Sequence, residues 1–343
     1  MYRASHHWHM EPETILRLEG CSLDVIPDLT LLRVENLSLN HNLFRFIQTQ
    51  NLPRQLKYLS MRSNQLTSAN IFHTDIYPTV ESLVLDDNYI HGIYDLPNNA
   101  PNLKYLSLNV NSIHRLDTLS EFQHLEYLNI SRNQITFLDA IPASLKILNA
   151  SHCKIRMLQS RLGPHVEKIN LACNSLKFAG LPFHWGMSLR ELNLSFNKIH
   201  KFPKKLPDTL EVLYIQGNLF VDLPDTLPTS LRILVASDNK IMAIPPYTRD
   251  NRLELLVLSE NKLTDLSKAK ELSRVFVGEH NWNKSFHHTL ADRLKKLWRR
   301  YCLQLRLRSI VRTQRIRTDL LETAMSPSRL GKFEPIPKGW SDS

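Results

Sequence analysis

Few residues of this chain have the types and spacing that catalysis or metal binding requires. His6, His7 and His9 cluster near the amino terminus and could bind a metal ion, but histidines beside a chain end more often stay unoccupied. Asp86 and Asp87 are adjacent in an extended segment, where neighbouring side chains point to opposite faces and form no carboxylate dyad. The sequence contains no GxxxxGK[ST], HExxH, CxxC or GxSxG motif. We therefore expect a non-catalytic protein with no cofactor and no metal site.

A second set of residues is suited to molecular recognition. Tyrosine offers a large contact area with a polar tip, and asparagine side chains adapt their hydrogen bonds to a partner. Strand propensity alone would also favour tyrosines in such segments. Their role therefore depends on whether the fold brings them to one face. The candidates for partner binding are Tyr58, Arg62, Tyr105, Asn109, Tyr127, Asn129, Asn149, Asn170, Asn193 and Tyr214.

These candidates lie within a repeat that predicts how they are positioned. A pattern close to LxxLxLxxNxL occurs thirteen times between Glu13 and Trp282, at spacings of 19 to 24 residues. The LxL alternation predicts one short strand for each repeat, and stacking of successive coils would bury the leucines. The asparagine is expected to turn inward and satisfy backbone groups, with Cys21 and Cys153 in its place in two repeats. The predicted fold class is α/β, a solenoid with a curved parallel sheet.

The returning half of each repeat contains prolines, as in Leu206-Pro207 and Leu227-Pro228. Proline removes a backbone donor and disfavours helix before it, so a mostly non-helical convex side is expected. The segments LPDTLEVL at 206–213 and LPTSLRIL at 227–234 resemble the short, LPxxL-containing repeats of about 21–22 residues in the leucine-rich repeat family. The resemblance covers about residues 13–282 and implies a solenoid that binds other proteins. Bacterial effector ubiquitin ligases have similar repeats, but the segment after residue 283 has no room for their catalytic domain.

Charge is concentrated after the repeats. Residues 284–343 hold 14 Lys and Arg against 5 Asp and Glu, whereas residues 1–283 hold 29 against 28. Apolar residues three or four apart between Leu290 and Val311 predict a basic amphipathic helix. We expect it to cap the last coil, where strand-face residues such as Val235 and Val257 become apolar and need a cover.

Two alternatives for this helix stay open: a target of a calmodulin-like partner, or contact with nucleic acid or an anionic membrane. The helix residues that would carry such binding are Trp298, Arg299, Arg300, Arg306, Arg308 and Arg312.

Cysteine use and hydropathy predict the compartment. The four cysteines show no paired spacing, and residues 1–10 contain no apolar segment typical of a secretion signal. We therefore expect an intracellular protein, cytoplasmic or nuclear, without a transmembrane segment. The predicted organisation is an N-terminal segment (1–12), a solenoid of about thirteen repeats (13–283), a basic helical cap (284–324) and a Pro-containing tail (325–343). The predicted function is a scaffold that binds a protein through the concave strands.

Overall fold

The fold consists of stacked coils, each with one short strand in a common parallel sheet. A computed structural model describes residues 15–68, 77–138, 141–158, 162–182, 184–202, 205–245, 253–264 and 275–276. The strands are β1 (Ile15–Arg17), β2 (Asn36–Ser38), β3 (Tyr58–Ser60), β4 (Ser82–Val84), β5 (Tyr105–Ser107), β6 (Tyr127–Asn129), β7 (Phe137–Leu138), β8 (Ile147–Asn149), β9 (Met157–Leu158), β10 (Lys168–Asn170), β11 (Glu191–Asn193), β12 (Val212–Tyr214), β13 (Ile233–Val235), β14 (Leu255–Val257) and β15 (Val275–Phe276).

Thirteen strands form the main sheet, one from each predicted repeat. They pair in parallel in chain order, while β7 and β9 lie outside it and pair with each other. In the three-residue strands of the main sheet the central residue is Leu or Ile, and Leu59, Leu83 and Leu106, for example, are fully buried in the core. Because each leucine row is covered only by the coils beside it, the core forms between neighbours along the whole array.

The inward asparagines join successive coils, as the repeat predicts. Asn64 donates from Nδ2 to the carbonyl oxygens of Leu39 in the preceding coil and Met61 in its own coil, both at 3.0 Å. Its Oδ1 accepts the backbone N–H of Phe44 at 3.2 Å. An amide supplies the donors and the acceptor that this buried turn needs, which explains why asparagine recurs there.

A left-handed residue lies just before the asparagine position, three residues after the end of the main-sheet strand, in the twelve coils where the structure describes this turn. Non-glycine residues with φ of 53–56° occupy it in most coils, among them Val110 and Phe196. Gly217 occupies it with φ of 65°. The left-handed residue turns the chain after a strand that is only three residues long in these coils.

The side of the coils away from the main sheet has little helix. In the described part of the chain it has one four-residue helix, α1 (Leu96–Asn99), and 3₁₀ turns at Thr49–Asn51, Leu119–Glu121 and Phe178–Gly180. No helix in these ranges has the length and hydropathy needed to cross a bilayer. The scarcity of helix confirms the prediction from the prolines.

A row of alternating charges, here called the charge ladder, runs along the edge where the strands begin. Each member follows the first consensus leucine of its repeat, and its backbone N–H bonds to the carbonyl of the preceding member, as for Glu81 to Lys57 at 2.9 Å. The ladder was not foreseen from the sequence. Its members are Glu35, Lys57, Glu81, Lys104, Glu126, Lys146, Glu167, Arg190, Glu211, Arg232 and Glu254.

Five ion pairs form within the charge ladder, with N–O distances of 2.7–3.0 Å. Because neighbouring strands are about 4.8 Å apart, each inner member lies between two opposite charges. The ladder therefore favours the observed strand register with side chains that remain partly exposed.

The predicted basic helix at 284–324 falls outside the described residues, as do Trp298, Arg299, Arg300, Arg306, Arg308 and Arg312. The bounds predicted for the four segments of the chain stay predictions.

Candidate binding face

The side of the main sheet opposite the core is here called the strand face. Parallel pairing arranges its outward side chains in rows that cross the strands. Tyr58, Tyr105 and Tyr127 lie in the first row, with Ser82 of β4 between the first two. Tyr214 is in a different row, so the predicted tyrosines do not form one continuous line.

The second row contains the asparagines. Ser107 of β5, Asn129, Asn149, Asn170, Asn193 and Tyr214 occupy equivalent positions in neighbouring strands. The structure thus brings together four predicted asparagines and one tyrosine that are 20 to 23 residues apart in the sequence. All are half-buried.

The amide oxygens of this row are used by the chain itself. Asn149 Oδ1 accepts the backbone N–H of Ser151 at 3.2 Å and its hydroxyl at 2.9 Å. Asn170 Oδ1 accepts Ala172 N–H at 3.1 Å, and Asn193 Oδ1 accepts Ser195 N–H at 3.0 Å. A backbone N–H can bond only to the oxygen of the amide, so the orientation of each side chain follows.

The amide nitrogens of the same three asparagines have no acceptor among the described residues. Asn149, Asn170 and Asn193 therefore present NH₂ donors on three adjacent strands, about 4.8 Å apart. Asn129 differs, because its Nδ2 lies 3.3 Å from Ser107 Oγ. A row of half-buried donors requires acceptors from another molecule or from water.

A stacked tyrosine pair lies beside a half-buried carboxylate on the earlier strands. The rings of Tyr105 and Tyr127 are 4.3 Å apart between centroids and inclined by 3°. Asp86 Oδ1 accepts the hydroxyl of Ser107 at 2.5 Å and the N–H of Asn109 at 2.8 Å. The aromatic pair provides contact area, and the carboxylate fixes the polar residues next to it.

Burial changes the proton affinity of two of these groups. Desolvation raises the pKa of Asp86, while the bonds from Ser107 and Asn109 and the nearby charge of Arg62 oppose the increase. Burial also raises the pKa of the Tyr127 hydroxyl. Neutral Asp86 and neutral Tyr127 are therefore favoured relative to exposed groups of the same types.

A third row of the strand face includes Arg62 and Asn109, which were predicted from the sequence to bind a partner. Arg62, Asp86, Asn109 and Ser131 occupy it, and Ser131 Oγ donates to Asn109 Oδ1 at 2.8 Å. The sequence placed Asp86 three residues after the strand leucine Leu83, but its bonds to the next coil depend on strand register. The apolar residues Ile233, Val235 and Val257 are 4%, 2% and 4% exposed, so they offer no open surface.

Nothing in the described residues groups three metal-ligating side chains together. The three cysteines of this part, Cys21, Cys153 and Cys173, are free thiols. His6, His7 and His9 lie outside the described residues.

Comparison with known proteins agrees with the repeat geometry. The family models described as "Leucine Rich repeats (2 copies)" and "Leucine Rich Repeat" match residues 101–143 and 188–208. Lumican of Oryctolagus cuniculus is 32% identical over 150 residues, which cover 43% of this chain and 68% of that protein. The chain belongs to the leucine-rich repeat family. Lumican of Homo sapiens is 28% identical over 218 residues, covering 62% of this chain and 53% of that protein. The chain thus spans about half the length of human lumican.

Solved leucine-rich repeat structures share the fold. The leucine-rich repeat domain of APL1B has a TM-score of 0.64 at 20% identity, covering 80% of this chain and 90% of that one. The LRIM1/APL1C complex has a TM-score of 0.62 at 19% identity, covering 90% of this chain and 69% of that one. At such identities the likeness is one of fold.

Proposed function

We propose that the protein is a non-catalytic scaffold that binds a protein partner through its strand face. The observation that carries this proposal is the row of amide donors on Asn149, Asn170 and Asn193. A polypeptide crossing the strands would supply backbone carbonyls or carboxylates as acceptors. The stacked Tyr105 and Tyr127 would provide aromatic contact beside the donors.

The fold supports this proposal in general terms. A leucine-rich repeat array supplies a broad surface of short strands, and the LRIM1/APL1C complex, which shares the fold, is an assembly of two proteins. The partner of the present chain would be recognised by matched acceptors along the asparagine row. Acceptor atoms on the partner, spaced like the strands, would align the partner with the asparagine row.

The test replaces the donors without changing the turns. In the triple variant Asn149→Asp, Asn170→Asp and Asn193→Asp, one carboxylate oxygen can still accept the i+2 backbone N–H, whereas the NH₂ donors are lost. We expect partner recovery to fall by roughly tenfold or more, because unpaired acceptors and added charge oppose binding. Affinity capture followed by quantitative mass spectrometry measures the change.

A matched control has the same number of amide-to-carboxylate changes at exposed residues off the strand face: Gln55→Glu, Asn98→Asp and Gln123→Glu. The control should recover the same proteins as the unchanged chain. Thermal melts establish that both variants fold. Equal recovery by all three chains would rule out the asparagine row as the binding site.

We also propose that the protein works in a reducing compartment, cytoplasmic or nuclear. Three separate free thiols, one of them buried at an asparagine position, support this location. Fluorescence microscopy of the chain tagged at either end tests the proposal. Accumulation in the medium or along the secretory route would overturn it.

A further inference from the structure

The turns that leave the main sheet contain cations without acids in four consecutive coils. Segments 130–138, 150–158, 171–182 and 194–202 contain no Asp or Glu. Their exposed Lys and Arg residues form a surface here called the basic flank. Its members are Arg132, Lys154, Arg156, Lys177, Lys198 and Lys201.

The two edges of these coils differ in whether their cations form ion pairs. At the charge ladder, Lys146 and Arg190 are paired with glutamates at 2.9 Å. On the basic flank, no carboxylate of the described residues lies within ion-pair distance of any member. Among the described residues, the one side-chain hydrogen bond that a flank member donates goes to a neutral acceptor, from Lys154 Nζ to Gln134 Oε1 at 3.4 Å. Within these four coils, the cations of the basic flank are thus exposed and have no carboxylate partner among the described residues, which leaves them available to an acidic partner.

Backbone contacts hold these segments side by side. Lys154 N–H bonds to Ile135 O at 3.0 Å, Ser175 N–H to Ile155 O at 2.9 Å, and Lys198 N–H to Leu176 O at 2.9 Å. Each of the four coils therefore contributes at least one cation to a continuous surface. Such a surface matches a partner that is itself extended across the coils.

Apolar side chains lie between the cations. Phe137 is 42% exposed and Met157 is 49% exposed, and they are in register as partners of β7 and β9. Phe178 is half-buried, with its ring edge-on to His200 at 6.2 Å between centroids. Cations interleaved with apolar groups favour a peptide over a uniform polyanion, because a peptide can supply both carboxylates and apolar side chains.

We propose that the basic flank binds an extended acidic segment of a protein that presents both carboxylates and apolar side chains on one face. The carboxylates would pair with Lys154, Arg156, Lys177 and Lys198, and the apolar side chains would pack on Phe137 and Met157. This is a second interaction surface, on a different edge from the asparagine row, and it does not depend on the function proposed above.

The experiment measures binding of a labelled peptide to the full chain by fluorescence anisotropy. Coils about 4.8 Å apart and a rise of about 3.3 Å per extended residue mean that roughly six residues span the four segments. The probe is a peptide of this length with the repeat Glu-Glu-Leu-Leu, so that each face of the extended chain carries both kinds of side chain. Comparison probes are an oligoglutamate of equal charge and a short single-stranded DNA.

The flank variant combines Lys154→Ser, Arg156→Ser, Lys177→Ser and Lys198→Ser. Its matched control combines Arg17→Ser, Arg33→Ser, Arg45→Ser and Arg54→Ser, which remove the same charge from exposed residues of the first coils. We expect the flank variant to bind the peptide on the order of tenfold more weakly, and the control to bind within about twofold of the unchanged chain.

Three outcomes would overturn the proposal: equal loss in both variants, equally tight binding of oligoglutamate, or tighter binding of the DNA. The double variant Phe137→Ala, Met157→Ala keeps all six cations. Weaker peptide binding by this variant would support the proposed packing of apolar side chains on Phe137 and Met157. The triple asparagine variant should bind the peptide normally, which separates this surface from the strand face.

Discussion

At the scale of single residues, the asparagine positions show how one side chain connects neighbouring coils. Asn133 accepts the Ile113 N–H at 2.9 Å and donates to the Leu108 and Ile130 carbonyls, also at 2.9 Å. Cys153 occupies the same position in the next coil, and its Sγ donates to Ile130 O at 3.3 Å. Burial raises the pKa of this thiol, so it remains a neutral donor. Sulfur is a weak donor and acceptor, and the cysteine is therefore a poorer link.

Restoring the amide should strengthen the array. We expect Cys153→Asn to raise the free energy of unfolding by about 1 kcal/mol and Asn133→Cys to lower it by a similar or larger amount. Urea denaturation followed by circular dichroism measures both changes. A loss of stability in the Cys153→Asn variant would show that the pocket has adapted to the thiol.

Asp86 predicts a pH-dependent contribution to stability. Its folded-state pKa is raised by burial, so the folded chain binds this proton more tightly than the unfolded chain. The contribution of Asp86 to the free energy of unfolding therefore falls as pH rises from the ordinary carboxyl value through the raised value. Asp86→Asn should be more stable than the unchanged chain at neutral pH, and this advantage should shrink in acid. Thermal melts across pH measure it, with Asp225→Asn at an exposed residue as control. A constant advantage at all pH values would exclude titration as its cause.

At the scale of elements, the charge ladder differs from a set of separate ion pairs. Glu126 pairs with Lys146 at 2.9 Å, but each also has a ladder neighbour of opposite charge in the coil on its other side, Lys104 and Glu167. An exposed pair contributes little by itself. In the ladder, every member has neighbours of opposite charge. A misalignment by one coil would place like charges side by side, which costs free energy.

A charge swap distinguishes the ladder from isolated pairs. Glu126→Lys combined with Lys146→Glu keeps the pair but creates like-charge contacts with Lys104 and Glu167. We expect a loss of about 1 kcal/mol that shrinks in high salt. The corresponding swap of Lys205 and Asp208, an exposed pair 2.9 Å apart outside the ladder, should be nearly neutral. Equal effects of the two swaps would mean that the ladder acts as separate pairs.

At the scale of the whole solenoid, the effect of deleting coils on stability should depend on whether the charges of the ladder still alternate after the deletion. Deleting residues 146–166 joins Leu145 to Glu167 and places Glu126 beside another glutamate. Deleting residues 146–189 joins Leu145 to Arg190 and keeps the charges alternating. Both deletions preserve the leucine and asparagine pattern. We expect added salt to raise the thermal midpoint of the one-coil deletion more than that of the two-coil deletion. The same salt response in both would indicate that alternation has no role in stacking.

The sequence by itself determined the architecture of the repeat array. Leucines at fixed offsets predicted the strands, the recurring asparagine predicted the inward hydrogen bonds, and the prolines predicted an outer side with little helix. These predictions were possible because each coil contacts mainly the coils before and after it, so a periodic sequence maps directly onto periodic contacts.

Only the tertiary structure decided which outward residues are neighbours. It separated Tyr214 from the row of Tyr105 and Tyr127, aligned the free donors of Asn149 and Asn170, and revealed the pairing along the charge ladder. These rows join residues about one repeat apart, while repeat lengths vary from 19 to 24 residues, so adjacency depends on strand register. Hydrogen-bond orientation likewise depends on which backbone groups each turn leaves unpaired.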